Sequence, residues 1–179
     1  MRHPLSLRHP LFQFEYCPVC GAKAFEERNE KAKQCAACGF VYYFNPSAAV
    51  ACFIRNARGE LLLVRRGKEP AKGTLDLPGG FVDMHETAEE AARREAKEET
   101  GLEIRNCRYL FSLPNLYPYS GFEVHTLDLI FACEVDHFND ARAADDAAEI
   151  VVMRPEALRP DDFGLASIRA AVSRYQSEY

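Results

Sequence analysis

GGFVDMHETAEEAARREAKEETGL, running from Gly79 to Leu102, is the stretch on which the reading of this chain turns. Thr87 and Glu90 stand in the spacing of a capping box, in which each side chain satisfies a backbone N–H that the first helical turn leaves free. A helix is therefore predicted to start after Thr87 and to stop at Gly101, a residue suited to the left-handed cap. Its apolar positions are almost all alanine, so it must lie close against its neighbours. Glu95, Glu98 and Glu99 follow at i, i+3 and i+4, which puts these carboxylates on one helical face. Like charges so placed repel. Either Arg93, Arg94 and Lys97 relieve them in a salt-bridged surface helix, or the carboxylates form a site for a hard divalent cation such as magnesium, which takes oxygen ligands and shares them with substrate phosphates.

Upstream, AAVACFIR (Ala48 to Arg55) and ELLLVRR (Glu60 to Arg66) read as strands joined by a turn over Asn56 to Gly59. The loop GKEPAKGTLDLPGG then breaks regular structure, and Gly79-Gly80 lets backbone approach a ligand closely. Downstream, Glu149 in DDAAEIVVM lies just before an expected strand and is a candidate further acidic ligand or base, against the alternative of a solvated loop charge. Phe163, Leu165, Ile168, Ala171, Val172 and Tyr175 fit an amphipathic closing helix whose role is packing.

Near the N-terminus, Cys17-Pro-Val-Cys20 and Cys35-Ala-Ala-Cys38 are paired C-x-x-C turns, each followed by glycine (Gly21, Gly39). Thiolates converging in this way match tetrahedral zinc, and a closed four-cysteine site leaves no position for a reactive water, so the expected role is structural. Paired disulfides and a redox C-x-x-C are the competing readings, the first disfavoured in the cytoplasm and the second needing no duplicate. So small a module lacks the core to fold without its metal. Cys52, Cys107 and Cys133 are scattered singly in the sequence, the first and last in apolar runs, and are expected to be buried small hydrophobes.

With 179 residues, 47% hydrophobic and 27% charged, the chain has the composition of an ordinary soluble protein with one core and a satellite module. No apolar run approaches a membrane span, and MRHPLSLRHPLFQF lacks the apolar centre of a secretory signal, so no membrane partner and a cytoplasmic location are expected. The net charge is -5, with a small basic excess up to Ser47 and an acidic remainder. That asymmetry sets a boundary near Asn45-Pro46, giving an N-terminal segment and ribbon over 1–45 and a second domain over 46–179. An acidic body disfavours broad phosphate-backbone binding, although the ribbon's basic excess permits contact with nucleic acid. A homodimer is compatible with the sequence.

Gly80, Glu86, Arg94, Glu95, Ala96, Glu98, Glu99, Gly101 and Leu102 match the box G-x5-E-x7-R-E-U-x-E-E-x-G-U with every gap correct, and the chain thereby resembles the Nudix hydrolases. Ala96 replaces a larger aliphatic residue, and His85 the glycine usual before the first box glutamate. The resemblance implies an α/β class, a Nudix α/β/α sandwich with a mixed sheet, preceded by the zinc ribbon. It further implies magnesium or manganese held by Glu95, Glu98, Glu99 and the Gly79 carbonyl, with Arg94 orienting a ligand glutamate and Glu86 supporting the site. The implied reaction is metal-assisted hydrolysis of a diphosphate bond in a nucleotide-derived small molecule.

A zinc ribbon before a Nudix fold is similar to the arrangement in bacterial NADH pyrophosphatases. Where those carry Ser-Gln-Pro-Trp-Pro-Phe-Pro-x-Ser, this chain has Ser112-Leu113-Pro114-Asn115-Leu116-Tyr117-Pro118-Tyr119-Ser120, without the tryptophan, and with a ribbon beginning near residue 17 the extra N-terminal domain of those enzymes is expected to be lacking. A related but separate zinc-ribbon group is expected, with NADH, NAD or ADP-ribose as first substrates. Tyr117, Tyr119 and Phe122 are candidates to stack on a base, or else pack at a strand end. The competing functions are a nucleotide sensor acting through the ribbon and a hydrolase of nucleotide-capped RNA.

Overall fold

The protein is described by a computed structural model covering residues 9–179; residues 1–8, which include Arg2 and Arg8 of the basic excess, lie outside it. The described chain divides into two compact units, one containing residues up to Ser47 together with Leu116–His125, the other Ala48–Asn115 with Thr126–Tyr179.

In the first unit, a short helix α1 (Pro10–Gln13) precedes a small antiparallel sheet of β1 (Phe25–Asn29), β2 (Ala32–Cys35) and β3 (Val41–Tyr43). Its apolar cluster is small, Cys17, Phe25 and Cys35 with Ala22 and Phe40 beside them, and Leu11 and Ala32 are buried as well. A segment with so little to bury depends on something other than the hydrophobic effect.

The second unit is built on β4 (Ser47–Arg55), β5 (Leu61–Arg66), β6 (Leu75–Asp76), α2 (Ala88–Thr100), β7 (Asn106–Tyr119), β8 (Phe122–Glu134), β9 (Ala147–Met153) and α3 (Ala166–Glu178), except that Ser47 and the Leu116–His125 ends of β7 and β8 belong to the first unit. The sheet runs β6-β5-β4-β8-β7, with β9 added on β5. β5 pairs along its whole length with β9, while β4 takes Leu61–Leu62 and β6 takes Val64–Arg65, all antiparallel. The neighbours β4 and β8 end side by side, where the Val135 N–H donates to the Arg55 carbonyl, so they run in the same direction and the sheet is mixed.

Alternation along the strands sends successive side chains to opposite faces. Val50, Cys52 and Ile54 of β4, Leu62 and Val64 of β5, and Phe131 and Cys133 of β8 form one core with Ala91, Ala92 and Ala96 of α2. Ala51 and Phe53, Leu61 and Leu63, and Ile130 form the other with Ile168, Ala171, Val172 and Tyr175 of α3. Helices on both faces make an α/β/α sandwich. The closing helix begins three residues after Phe163 and runs to Glu178; Tyr175 stacks on Phe53 at 4.0 Å between ring centroids. Among the described residues no helix is long and apolar enough to cross a membrane.

Candidate functional site

The α2 helix starts and stops as its sequence predicts: Thr87 and Glu90 exchange both capping-box bonds, and Gly101 closes it at φ 75°. The alanines let it settle on the sheet, so its inner edge approaches the loop that ends β6. That loop is fastened to β4, where Cys52 N–H donates to the Pro78 carbonyl, Val50 N–H to Gly80 and Val82 N–H to Ala48. The fit leaves no room for a side chain at Gly79, whose Cβ would lie 2.0 Å from the Val50 carbonyl oxygen, while one on Gly80 would lie 2.4 Å from the Glu95 carboxylate and displace it. Gly79 N–H donates to Glu99 at 3.2 Å.

Arg94 organises the glutamates. Its Nε and Nη2 grip the two oxygens of Glu86 at 2.9 Å each, Nη1 donates to Glu95 at 2.8 Å and to Glu98 at 3.0 Å, and Nη2 also reaches the Phe81 carbonyl at 2.9 Å. All five guanidinium N–H donors thus have acceptors, which a lysine could not reproduce. The Arg94 bonds hold Glu86 below the usual carboxylate range. Arg93 and Lys97, by contrast, turn away to the Ile104 carbonyl and to Glu103.

A salt-bridged surface helix explains Glu98, which is half exposed, but not Glu99, which is 7% exposed and has no ion pair among the described residues. Burial, opposed by the Gly79 N–H and reinforced by Glu95, Asp76 and Asp146, pushes Glu99 up to about 8. Glu95 is raised as well, by burial first, against the pull of Arg94 and with Glu98 and Asp145 adding to it. A carboxylate set this short of positive charge, on one helix beside the half-buried Gly79-Gly80 turn, has the donors to hold a divalent cation.

Asp76, Asp145 and Asp146 bear on this site although the sequence reading did not single them out. Asp76 is buried and pairs with Arg66 at 2.5 Å; Asp146 pairs with Lys68. Asp145 and Asp146 come from a segment remote in sequence from the box, where no local spacing could flag them, whereas Asp76, four residues before Gly80, falls in a stretch that reads as irregular loop. Glu149 stands inside β9 rather than before it, opposite Arg65 in the ladder, and its carboxylate accepts from Arg65 Nε at 2.7 Å on the exposed surface.

The candidate aromatic residues fall in the first unit. Tyr117 and Tyr119 stack at 6.4 Å and 24°, with Tyr119 exposed, while Phe122 packs 6.0 Å from Phe14. In the same unit, Cys17, Cys20, Cys35 and Cys38 bring their sulfurs within 4.8 Å of one another, with Cys17 and Cys38 at 3.7 Å and Cys20 and Cys35 at 3.6 Å. Gly21 and Gly39, at φ 72° and 78°, turn the chain after each pair. Burial opposes ionisation of Cys17, but N–H groups of Cys20 and Val19 and the neighbouring thiols outweigh it and bring Cys17 down to about 7. The cluster can hold one metal ion.

Residues 45–174 match the NUDIX domain family. A protein of Haemophilus influenzae strain PittGG named NAD-capped RNA hydrolase NudC is 36% identical over 119 residues, 65% of this chain and 44% of that protein. A protein of the same name from Chromobacterium violaceum is 34% identical over 131 residues, 73% of this chain and 46% of the relative. The chain therefore spans less than half the length of these relatives. Among solved structures, a NUDIX hydrolase from Nitrosomonas europaea superposes with a TM-score of 0.70 at 22% identity, covering 92% of this chain and 91% of the other.

Proposed function

Because this chain belongs to the Nudix family, we propose that it hydrolyses the diphosphate linkage of an NAD-type nucleotide, with NADH, NAD and ADP-ribose as the substrate class. The observation that carries the reading is Glu99, a buried carboxylate with no ion pair among the described residues, accepting from Gly79, where a Cβ would strike the Val50 backbone.

Glu95, Glu98, Glu99 and the Gly79 carbonyl offer oxygen donors suited to magnesium or manganese. When bound, such ions neutralise diphosphate oxygens and make a water acidic enough to attack phosphorus. The chain's own residues do the rest. Glu86 and the Phe81 carbonyl fix Arg94, Arg94 fixes Glu95 and Glu98, and a carboxylate of this group takes the proton of the attacking water. Tyr119, exposed beside Tyr117, suits stacking on a base or nicotinamide ring.

The four-cysteine cluster is assigned to zinc. With Zn–S bonds of about 2.3 Å, a tetrahedron has sulfur–sulfur edges of about 3.8 Å, close to the 3.6 and 3.7 Å separations found. Its role is to hold the 1–45 module together ahead of a 46–179 catalytic domain, in the cytoplasm, where reducing conditions keep the thiols available. The name carried by the relatives favours a second substrate form, the same linkage at the capped end of an RNA.

The test is product detection by mass spectrometry after incubation with magnesium and NADH, NAD, ADP-ribose, NAD-capped RNA, diadenosine polyphosphates and nucleoside triphosphates. AMP release from an NAD-type compound, or cap removal from the RNA, is expected. Activity confined to triphosphates would overturn the substrate class, and an inert panel with folded, zinc-loaded protein would overturn the enzyme reading.

A further inference from the structure

Cys52, Cys107 and Cys133 are far apart in sequence, but the sheet order β4-β8-β7 puts them on three successive strands. They meet on the face covered by α2, where Cys52 and Cys133 are core members and Cys107 packs against the same core. Cys107 and Cys133 bring their sulfurs to 3.4 Å. On its other side Cys133 interacts with Cys52, which is wholly buried and directs its sulfur at the Ala92 carbonyl of α2, 3.7 Å away. The row therefore runs from a sealed thiol beneath the helix, through Cys133, to a partly exposed thiol on β7, the last strand of the sheet.

We infer that Cys107 and Cys133 form a dithiol modification site that is converted to a cross-strand disulfide by peroxide. On these neighbouring strands the two sulfurs already stand 3.4 Å apart, so they need to close only about 1.4 Å to reach the S–S bond length of about 2.0 Å. The exposure gradient orders the chemistry. The Cys107 thiolate attacks one oxygen of hydrogen peroxide, becoming a sulfenic acid, while the other oxygen leaves as hydroxide and takes up a proton as water. The Cys133 sulfur then attacks the Cys107 sulfur, forming the S–S bond and expelling a second water, so two thiols and one peroxide give a disulfide and two waters.

The contact with Cys133, and then burial, raise the Cys107 thiol, while Arg93 pulls the other way. Little Cys107 thiolate is present near neutral pH, so the attack on peroxide quickens as the pH rises. Cys52 has no part in the bond, and its contact with Ala92 keeps it packed under α2.

The experiment is peroxide treatment of the zinc-loaded protein at mildly alkaline pH, followed by alkylation of free thiols and tryptic mapping. Cleavage at Arg105, Arg108 and Arg142 places Cys107 in residues 106–108 and Cys133 in residues 109–142. The expected product is these two peptides joined and lighter by two hydrogens, present in wild type and in Cys52→Ser and absent from Cys107→Ser. Hydrogen exchange along β7 should slow on oxidation in wild type and stay unchanged in Cys107→Ser, a variant at the partly exposed end of the row that retains the buried sulfurs. Cys107 recovered unmodified, or as sulfinic or sulfonic acid with no joined peptide, overturns the proposal, as does a Cys52–Cys133 link formed in preference.

Discussion

Two clusters of potential ligands in this chain are opposites in construction. The four cysteines of the first unit converge from two local turns until every sulfur faces the others, within 4.8 Å. The glutamates of the second unit are spread along one helix, and Arg94 stands between them as the only cation that bridges Glu95 and Glu98 among the described residues. A closed set of soft donors satisfies itself around one ion and serves the fold. An open set of hard donors, left short of positive charge, keeps its binding capacity for something that arrives from solution. The contrast separates a site that holds structure from one suited to chemistry.

The largest effect should come from breaking the first cluster. Structural zinc contributes on the order of 10 kcal/mol to modules of this kind, and the apolar cluster here, three buried residues, offers little to replace it. Chelation of zinc, or Cys35→Ser, is expected to abolish amide protection across β1 to β3 while α2 stays protected. A ribbon that keeps its exchange protection without metal would erase the contrast, since both clusters would then sit on self-sufficient structure.

Next in size is Glu99→Gln. Removing a carboxylate proposed to hold the metal should lower turnover on the order of 10³-fold, about 4 kcal/mol of transition-state stabilisation. The same change relieves a buried carboxylate that has no ion pair among the described residues, and glutamine can still accept the Gly79 N–H. In chelator, the variant should melt at or above the wild-type temperature. Loss of activity accompanied by a lower melting temperature would make Glu99 a structural residue and remove the distinction between the clusters.

What was legible follows from the range of the signal. Thr87, Glu90 and Gly101 act within a turn of themselves, as do the C-x-x-C pairs, and the structure has the cap and the convergence that the spacing predicts. The β7–β8 hairpin was not legible, because Pro114 and Pro118 argue against a strand; they are tolerated because β7 is the last strand of the sheet, where a missing N–H need not break a ladder. The cysteines read as scattered hydrophobes are buried or partly so as expected, yet adjacent, since strand order rather than spacing brings them together. Asp146 escaped notice for the same reason.

A middle-sized effect should follow from Arg94→Lys. A lysine cannot grip Glu86 and still reach Glu95, Glu98 and the Phe81 carbonyl, so the glutamates lose their common brace. Supporting residues of metal sites typically cost 10- to 100-fold when replaced, and the loss should fall on kcat and on the magnesium concentration needed for half-maximal rate. An effect as large as that of Glu99→Gln would mean that Arg94 contacts the substrate itself.

The smallest effect is expected from Glu149→Gln, and it decides how far the second cluster extends. Glu149 stands in β9 with its carboxylate on Arg65, both partners exposed, an arrangement that contributes roughly 0–1 kcal/mol. So weak a tie neither holds Glu149 in the site nor prevents it from swinging away from Arg65. If the proton of the attacking water goes to Glu95, Glu98 or Glu99, Glu149→Gln should slow turnover by less than about tenfold, under 1.4 kcal/mol, with an unaltered pH profile. If instead the rate falls as far as in Glu99→Gln and the acidic limb of the profile disappears, Glu149 is the base, and the catalytic set reaches beyond the helix onto the strand that pairs with β5.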